Sequence, residues 1–106
     1  MGRKPAAMTP EAKVKRKVKA VLDELGAYHF FPLMGGFGRA GVPDIIGCYN
    51  GYFFAIECKA GSNKTTALQD RELAKIRKAG GVAIIINEEN IEDVKAAIQA
   101  HSGHRL

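Results

Sequence analysis

Apolar residues near the start of the chain recur at helical spacing. Val14, Val18, Val21, Leu22 and Leu25 fall within one arc of roughly 100° when successive residues are set ~100° apart. Thr9 is placed to cap that run, Pro10 suits a first helical position and Gly26 suits the end, so a helix is predicted from Pro10 to about Gly26. Ala27 to Leu33 then reads as a strand with Tyr28, Phe30 and Leu33 turned to the core, followed by a glycine-rich loop from Met34 to Gly41. Two runs rich in β-branched and aromatic residues, Ile45 to Tyr49 and Tyr52 to Ile56, flank Asn50-Gly51, the strongest short signal for a two-residue hairpin. A polar break at residues 60–63 leads to a second helix, capped by Thr65 or Thr66 and closed by Gly80-Gly81, whose apolar stripe is Leu73 and Ile76. Val82 to Ile86 is an apolar run typical of a buried strand. Asn90 is placed to cap a last helix from Ile91 to about Ala100. The order is α-β-β-β-α-β-α, an α/β fold in which helices flank a mixed sheet.

The hairpin has a chemical consequence. With a two-residue turn Tyr49 faces Tyr52, and the same register carried outward sets Asp44 opposite Glu57, on the face that Lys59 shares by alternation. Two carboxylates about 5 Å apart repel by roughly 3 kcal/mol at an effective dielectric of ~20. A hard divalent cation would remove the conflict, because Mg²⁺ accepts one or two carboxylates and keeps several waters. Between arbitrary strands a surface ion-pair cluster is the commoner outcome, with Lys59 merely neutralising its neighbours. Two further polar residues lie on apolar stripes: Glu11 projects between Val18 and Leu22 on the first helix, and Gln69 between Leu73 and Ile76 on the second. Glu11 also complements the helix dipole, and Gln69 could serve as a core amide bonded to backbone.

At 106 residues the chain is of a size for one domain spanning 1–106, with flexible ends expected at 1–8 and 101–106. The apolar content is that of a globular protein, no run approaches a membrane span, and the N-terminal residues lack a secretory apolar segment, so an intracellular, cytoplasmic protein is expected. Cys48 and Cys58 lie on opposite faces of the hairpin, which predicts free, buried thiols rather than a disulfide. Three scattered histidines give no zinc-type spacing. Net charge is +7 over residues 1–80 and −2 over residues 81–106, so the basic charge travels with the acids of the hairpin. A phosphate-bearing partner is one reading of that asymmetry and a solvated basic face is the other. Lys15, on the polar side of the first helix, and Lys64 are candidate phosphate contacts, as is Arg39 in the glycine loop. Gly36, Gly38 and Gly41 match the letters of a dinucleotide fingerprint, but no helix follows them, so that match is spurious.

Pro43-Asp44, a spacer, then Glu57-Cys58-Lys59 resembles the active-site signature of the PD-(D/E)xK nuclease superfamily. The fuller order resembles the VRR-NUC (virus-type replication-repair nuclease) family: Glu11 on a leading helix, Gly41 to Asp44 after a glycine loop, Glu57 to Lys59, and Gln69 on a later helix, over roughly Glu11 to Ile98. The resemblance implies a restriction-endonuclease-like fold and a metal-dependent nuclease. In it Asp44, Glu57 and the backbone carbonyl of Cys58 hold Mg²⁺ or Mn²⁺, Lys59 orients the attacking water, Glu11 adds a metal or water ligand, and Gln69 supports Lys59 or the water. Stand-alone members resemble homodimeric Holliday-junction-resolving enzymes, which points to branched DNA as substrate and to replication or repair, in a phage-encoded setting, as context. A restriction-type endonuclease and a non-catalytic DNA-binding module are the alternatives.

Overall fold

A computed structural model describes residues 8–33 and 39–102. Residues 1–7, 34–38 and 103–106 lie outside it, and with them most of the expected leader and tail, as well as Gly36 and Gly38. The elements are α1 (Pro10–Leu25), β1 (Tyr28–Phe30), β2 (Ile45–Tyr49), β3 (Tyr52–Cys58), α2 (Ala67–Lys78), β4 (Val82–Ile86) and α3 (Asp93–Ser102), in the expected order. They form one four-stranded mixed sheet ordered β1-β2-β3-β4, antiparallel as far as β3 and parallel between β3 and β4, with α2 as the crossover. None of the described helices is long and apolar enough to cross a membrane.

The turn at Asn50-Gly51 has both residues at positive φ, 54° and 86°, as a hairpin with a primed turn requires. It sets Tyr49 against Tyr52 and Ile45 against Ile56, the expected register. Because side chains alternate, Ile45, Phe54, Ile56 and Cys58 turn to one face of the sheet, where they bury against Val14, Val18 and Leu22 of α1 and Val94 and Ile98 of α3. Gly47 leaves the room that the Phe54 ring fills, since a Cβ there would collide with that ring and with the Tyr28 carbonyl. The opposite face carries Ala55, Glu57, Ala83 and Ile85 and receives α2. Strand ends and helix starts meet at one end of this sheet.

Three local expectations are corrected. The first strand is three residues long, and its aromatic residues face outward, Tyr28 being 71% exposed and Phe30 47%; Leu33, beyond the strand, is exposed too, while the half-buried His29 turns inward and bonds the Ala27 carbonyl. Alternation places Tyr28 and Phe30 on the α2 face, and α2 packs against β3 and β4 instead of reaching them. Cys48 is exposed for the same reason, whereas Cys58 is buried; both are free thiols. The last helix begins at Asp93 because Asn90 is occupied elsewhere, its side chain bonding Asn87 N–H and the Ile85 carbonyl.

Candidate functional site

Four elements bring the acids and amines together. Asp44 lies just before β2, and its Oδ2 accepts the Cys58 N–H at 2.8 Å, so the carboxylate closes the open end of the hairpin. Glu57 lies one residue before the end of β3, on the α2 face, and is only 2% exposed. Lys59 leaves β3 with its own N–H bonded to the Ile86 carbonyl of β4 at 2.9 Å, and its Nζ stands 3.4 Å from Glu57 Oε2. From α2, Gln69 Nε2 donates to the same Oε2 at 3.0 Å.

The orientation of Gln69 follows from the helix start. Thr66 caps α2, its hydroxyl accepting the Gln69 N–H, while Gln69 Oε1 accepts the Thr66 N–H at 2.9 Å, a complete capping box. With Oε1 committed to the cap, the amide nitrogen is the end that faces Glu57. The Gly41 loop holds this turn from outside. Gly41 has φ +81°, and a Cβ there would stand 2.6 Å from the Leu68 carbonyl oxygen, so only glycine lets the loop lie against the first turn of α2. The close approach that requires glycine at position 41 is thus made to the protein's own backbone.

Glu57 is the electrostatic anomaly of the site. Burial, then the neighbouring Asp44 charge, push its carboxyl up to about 7, with Lys59 pulling the other way. When Glu57 ionises, Oε2 keeps Lys59 and Gln69, but Oε1 is buried with no partner. The Cys58 thiol between these acids is pushed up to about 12, chiefly by burial, so it is neutral and not nucleophilic near pH 7.

At the outer side of the site stands Lys15. Its Nζ is 3.4 Å from Asp44 Oδ1 and 3.7 Å from Glu11 Oε2, which makes it a bridge between the two carboxylates. Burial would lower its ammonium, but the Asp44 and Glu11 charges outweigh that and leave it raised. The helical projection had set Lys15 among the phosphate-facing or solvated lysines. Its actual position follows from the i,i+4 spacing to Glu11, which stacks the two side chains one turn apart toward the hairpin. A hollow of about 300 Å³ opens beside Glu11, lined by Thr9, Pro10, Ala60, Gly61 and Asn63. Arg39 is drawn elsewhere, pairing at 2.9 Å with Glu72 of α2, and Lys64 is exposed in the loop after Lys59.

The architecture matches a solved structure titled "VRR_NUC domain" with a TM-score of 0.67 and 23% identity, over 87% of this chain and 97% of that one. No family model matches the chain. A curated phage protein, "Putative nuclease p44" of Acyrthosiphon pisum secondary endosymbiont phage 1, is 34% identical over 62 residues, 58% of this chain and 67% of that protein. The chain belongs to the VRR-NUC nuclease family. In this VRR-NUC chain the fold has the restriction-endonuclease-like order read from the sequence, with Asp44, Glu57 and Lys59 at one end of the sheet.

Divalent metal chemistry can be tested against the donors present. Two carboxylates meet, and one of their oxygens, Glu57 Oε1, is buried without a partner. That set suits a hard ion that takes one or two carboxylates and keeps its waters. Among the described residues no group of three or more His, Cys, Asp or Glu side chains is placed to hold a metal, so Glu11 does not close a three-acid cage. Lys15 stands between it and Asp44.

Proposed function

We propose that this protein is a divalent-metal-dependent DNA endonuclease that cuts branched DNA, four-way junctions above all, as a homodimer with one site per strand. The observation that carries the reading is the buried, unpartnered Oε1 of Glu57 beside Asp44, with Lys59 held against the other oxygen of the same carboxylate. A lone buried carboxylate oxygen is costly, and a cation is the group that would satisfy it.

Asp44 and Glu57, with the backbone carbonyl of Cys58, would hold Mg²⁺ or Mn²⁺. The bound ion supplies Lewis acidity toward the scissile phosphate and water activation. The chain's own residues do the rest. Lys59, a part-buried amine tethered at both backbone and side chain, would orient the water and set positive charge where negative charge builds on the scissile phosphate. Gln69 keeps Glu57 in place through a bond whose direction the capping box sets. Glu11 lies at the rim, beside a hollow that could take a nucleotide flanking the cut. The basic excess over residues 1–80 favours a phosphate backbone in general; Lys15 beside Asp44, the exposed Lys64, and Arg39, once released from Glu72, are its candidate contacts. The aromatic residues left exposed on the sheet, Tyr28, Phe30 and Phe53, offer a face on which a second copy could pack.

Cleavage of labelled four-way junction, flap, single-stranded and linear duplex DNA with Mg²⁺, Mn²⁺ or EDTA tests the substrate assignment. Paired incisions flanking the junction, abolished by EDTA, with a dimer on light scattering, are expected. Cutting of linear duplex at a fixed sequence would replace the junction assignment by a restriction-type one. Tight binding with no cutting under any condition would leave a non-catalytic DNA-binding module.

A further inference from the structure

Lys15 divides the acids of the site into two unlike halves. Asp44 is shared between them: its Oδ2 is bonded to Cys58 N–H, and its Oδ1 faces the Lys15 ammonium at 3.4 Å. On one side is Glu57, whose Oε1 is buried and unpartnered. On the other is Glu11, whose carboxylate already meets the same ammonium at 3.7 Å. A carboxylate flanked on two sides by further carboxylates is the arrangement that two-metal phosphodiesterases use to hold a pair of ions about 3.5–4 Å apart. Here only one of the two positions lacks a cation.

We infer that the Lys15 ammonium takes the place of a second metal ion between Asp44 and Glu11, so that each site binds a single divalent cation. The inference rests on the proposed metal-dependent reading and adds to it the number of ions and the residue that sets it. An ordinary helical ion pair is the plainer description of Lys15 and Glu11, and α1 supplies a comparison. Lys19 and Asp23 pair at the same i,i+4 spacing at 2.9 Å, but both side chains are half exposed and the Lys19 ammonium pairs with a carboxylate of its own helix, Asp23, which also faces His29 at 3.6 Å. Lys15 instead crosses from α1 to a carboxylate at the mouth of the hairpin and is about one-third exposed. Charge count points the same way. Glu11, Asp44 and Glu57 against Lys15 and Lys59 leave the five groups one negative charge when all are ionised. One divalent ion turns that balance modestly positive, as suits a phosphodiester anion. A second, set against an ammonium, would meet repulsion on Asp44 before any phosphate arrived.

The test is the stoichiometry of Mn²⁺ binding to the full chain without DNA, by isothermal titration and by the electron paramagnetic resonance signal of free Mn²⁺. Wild type should bind one ion per chain and Lys15→Arg one. Lys15→Gln, which keeps a polar side chain at this partly exposed position, should bind two, and Lys15→Ala should reproduce that count by a second route. Two ions in wild type would overturn the inference while leaving the nuclease reading standing. A single ion in both Lys15→Gln and Lys15→Ala would overturn it too, because the ammonium would then not be what excludes the second. No binding by wild type would remove the metal-dependent reading itself, and this inference with it.

Discussion

Glu57 concentrates the physical conflict of the site in one side chain. A carboxyl whose folded value is about 7, against an ordinary 4.5, favours folding in its protonated form. Its contribution is fully present below about 4.5 and is lost as pH rises through about 7, so the metal-free protein should lose stability across that window and level off above it. Glu57→Gln removes the ionisation, and its amide can donate toward Asp44 where Oε1 had no partner. Thermal melts of the metal-free chains from pH 5 to 8 should show wild type falling, and the variant flatter and higher-melting at pH 8. Identical profiles would place the conflict elsewhere. Asp44, Glu57 and Lys59 could be brought together from the sequence alone, because a turn of two residues determines every cross-strand pair. The role of Lys15 was not legible in the same way. The i,i+4 spacing predicts its pairing with Glu11, but its reach to Asp44 depends on how α1 crosses the sheet, which no local pattern encodes.

Among the elements, α2 positions the site and the loop before β2 positions α2. The Thr66-to-Gln69 spacing of a capping box is visible in the sequence, and it decides which end of the Gln69 amide meets Glu57. Gly41 is different: its positive φ and its approach to Leu68 are set by tertiary packing, so the sequence offers only a glycine in a loop. Gly41→Ala should therefore cost about 1–3 kcal/mol, from a left-handed φ and a Cβ 2.6 Å from a backbone oxygen. Chemical denaturation should register that loss, whereas Gly26→Ala, also at positive φ but with open space around it, should cost less because no contact is added. Equal losses would mean that backbone strain alone, and not the contact with α2, explains both. The first strand shows the limit of reading by alternation. Period two was present in Tyr28, His29 and Phe30, but which face is covered depends on where α2 lies, and α2 lies over β3 and β4.

For the whole molecule, the family and the fold agree with what the order of motifs implied, from Glu11 through Gly41 to Asp44, then Glu57 to Lys59 and Gln69. The sheet end that gathers these residues is assembled from segments remote in sequence, so the chemistry depends on the complete α-β-β-β-α-β-α arrangement and not on the hairpin alone. The basic charge, the partly exposed acids and the aromatic face not covered by α2 are properties of this assembled surface. The claim at the centre of the account is that phosphodiester cleavage occurs at this site and depends on Lys59. Its most direct test compares cleavage of four-way junction DNA by wild type and by Lys59→Ala at saturating Mn²⁺, with metal binding measured alongside. A rate lower by roughly 10²–10⁴-fold, at undiminished ion binding and unchanged fold, is predicted for the variant. Cleavage by Lys59→Ala at the wild-type rate would contradict the account.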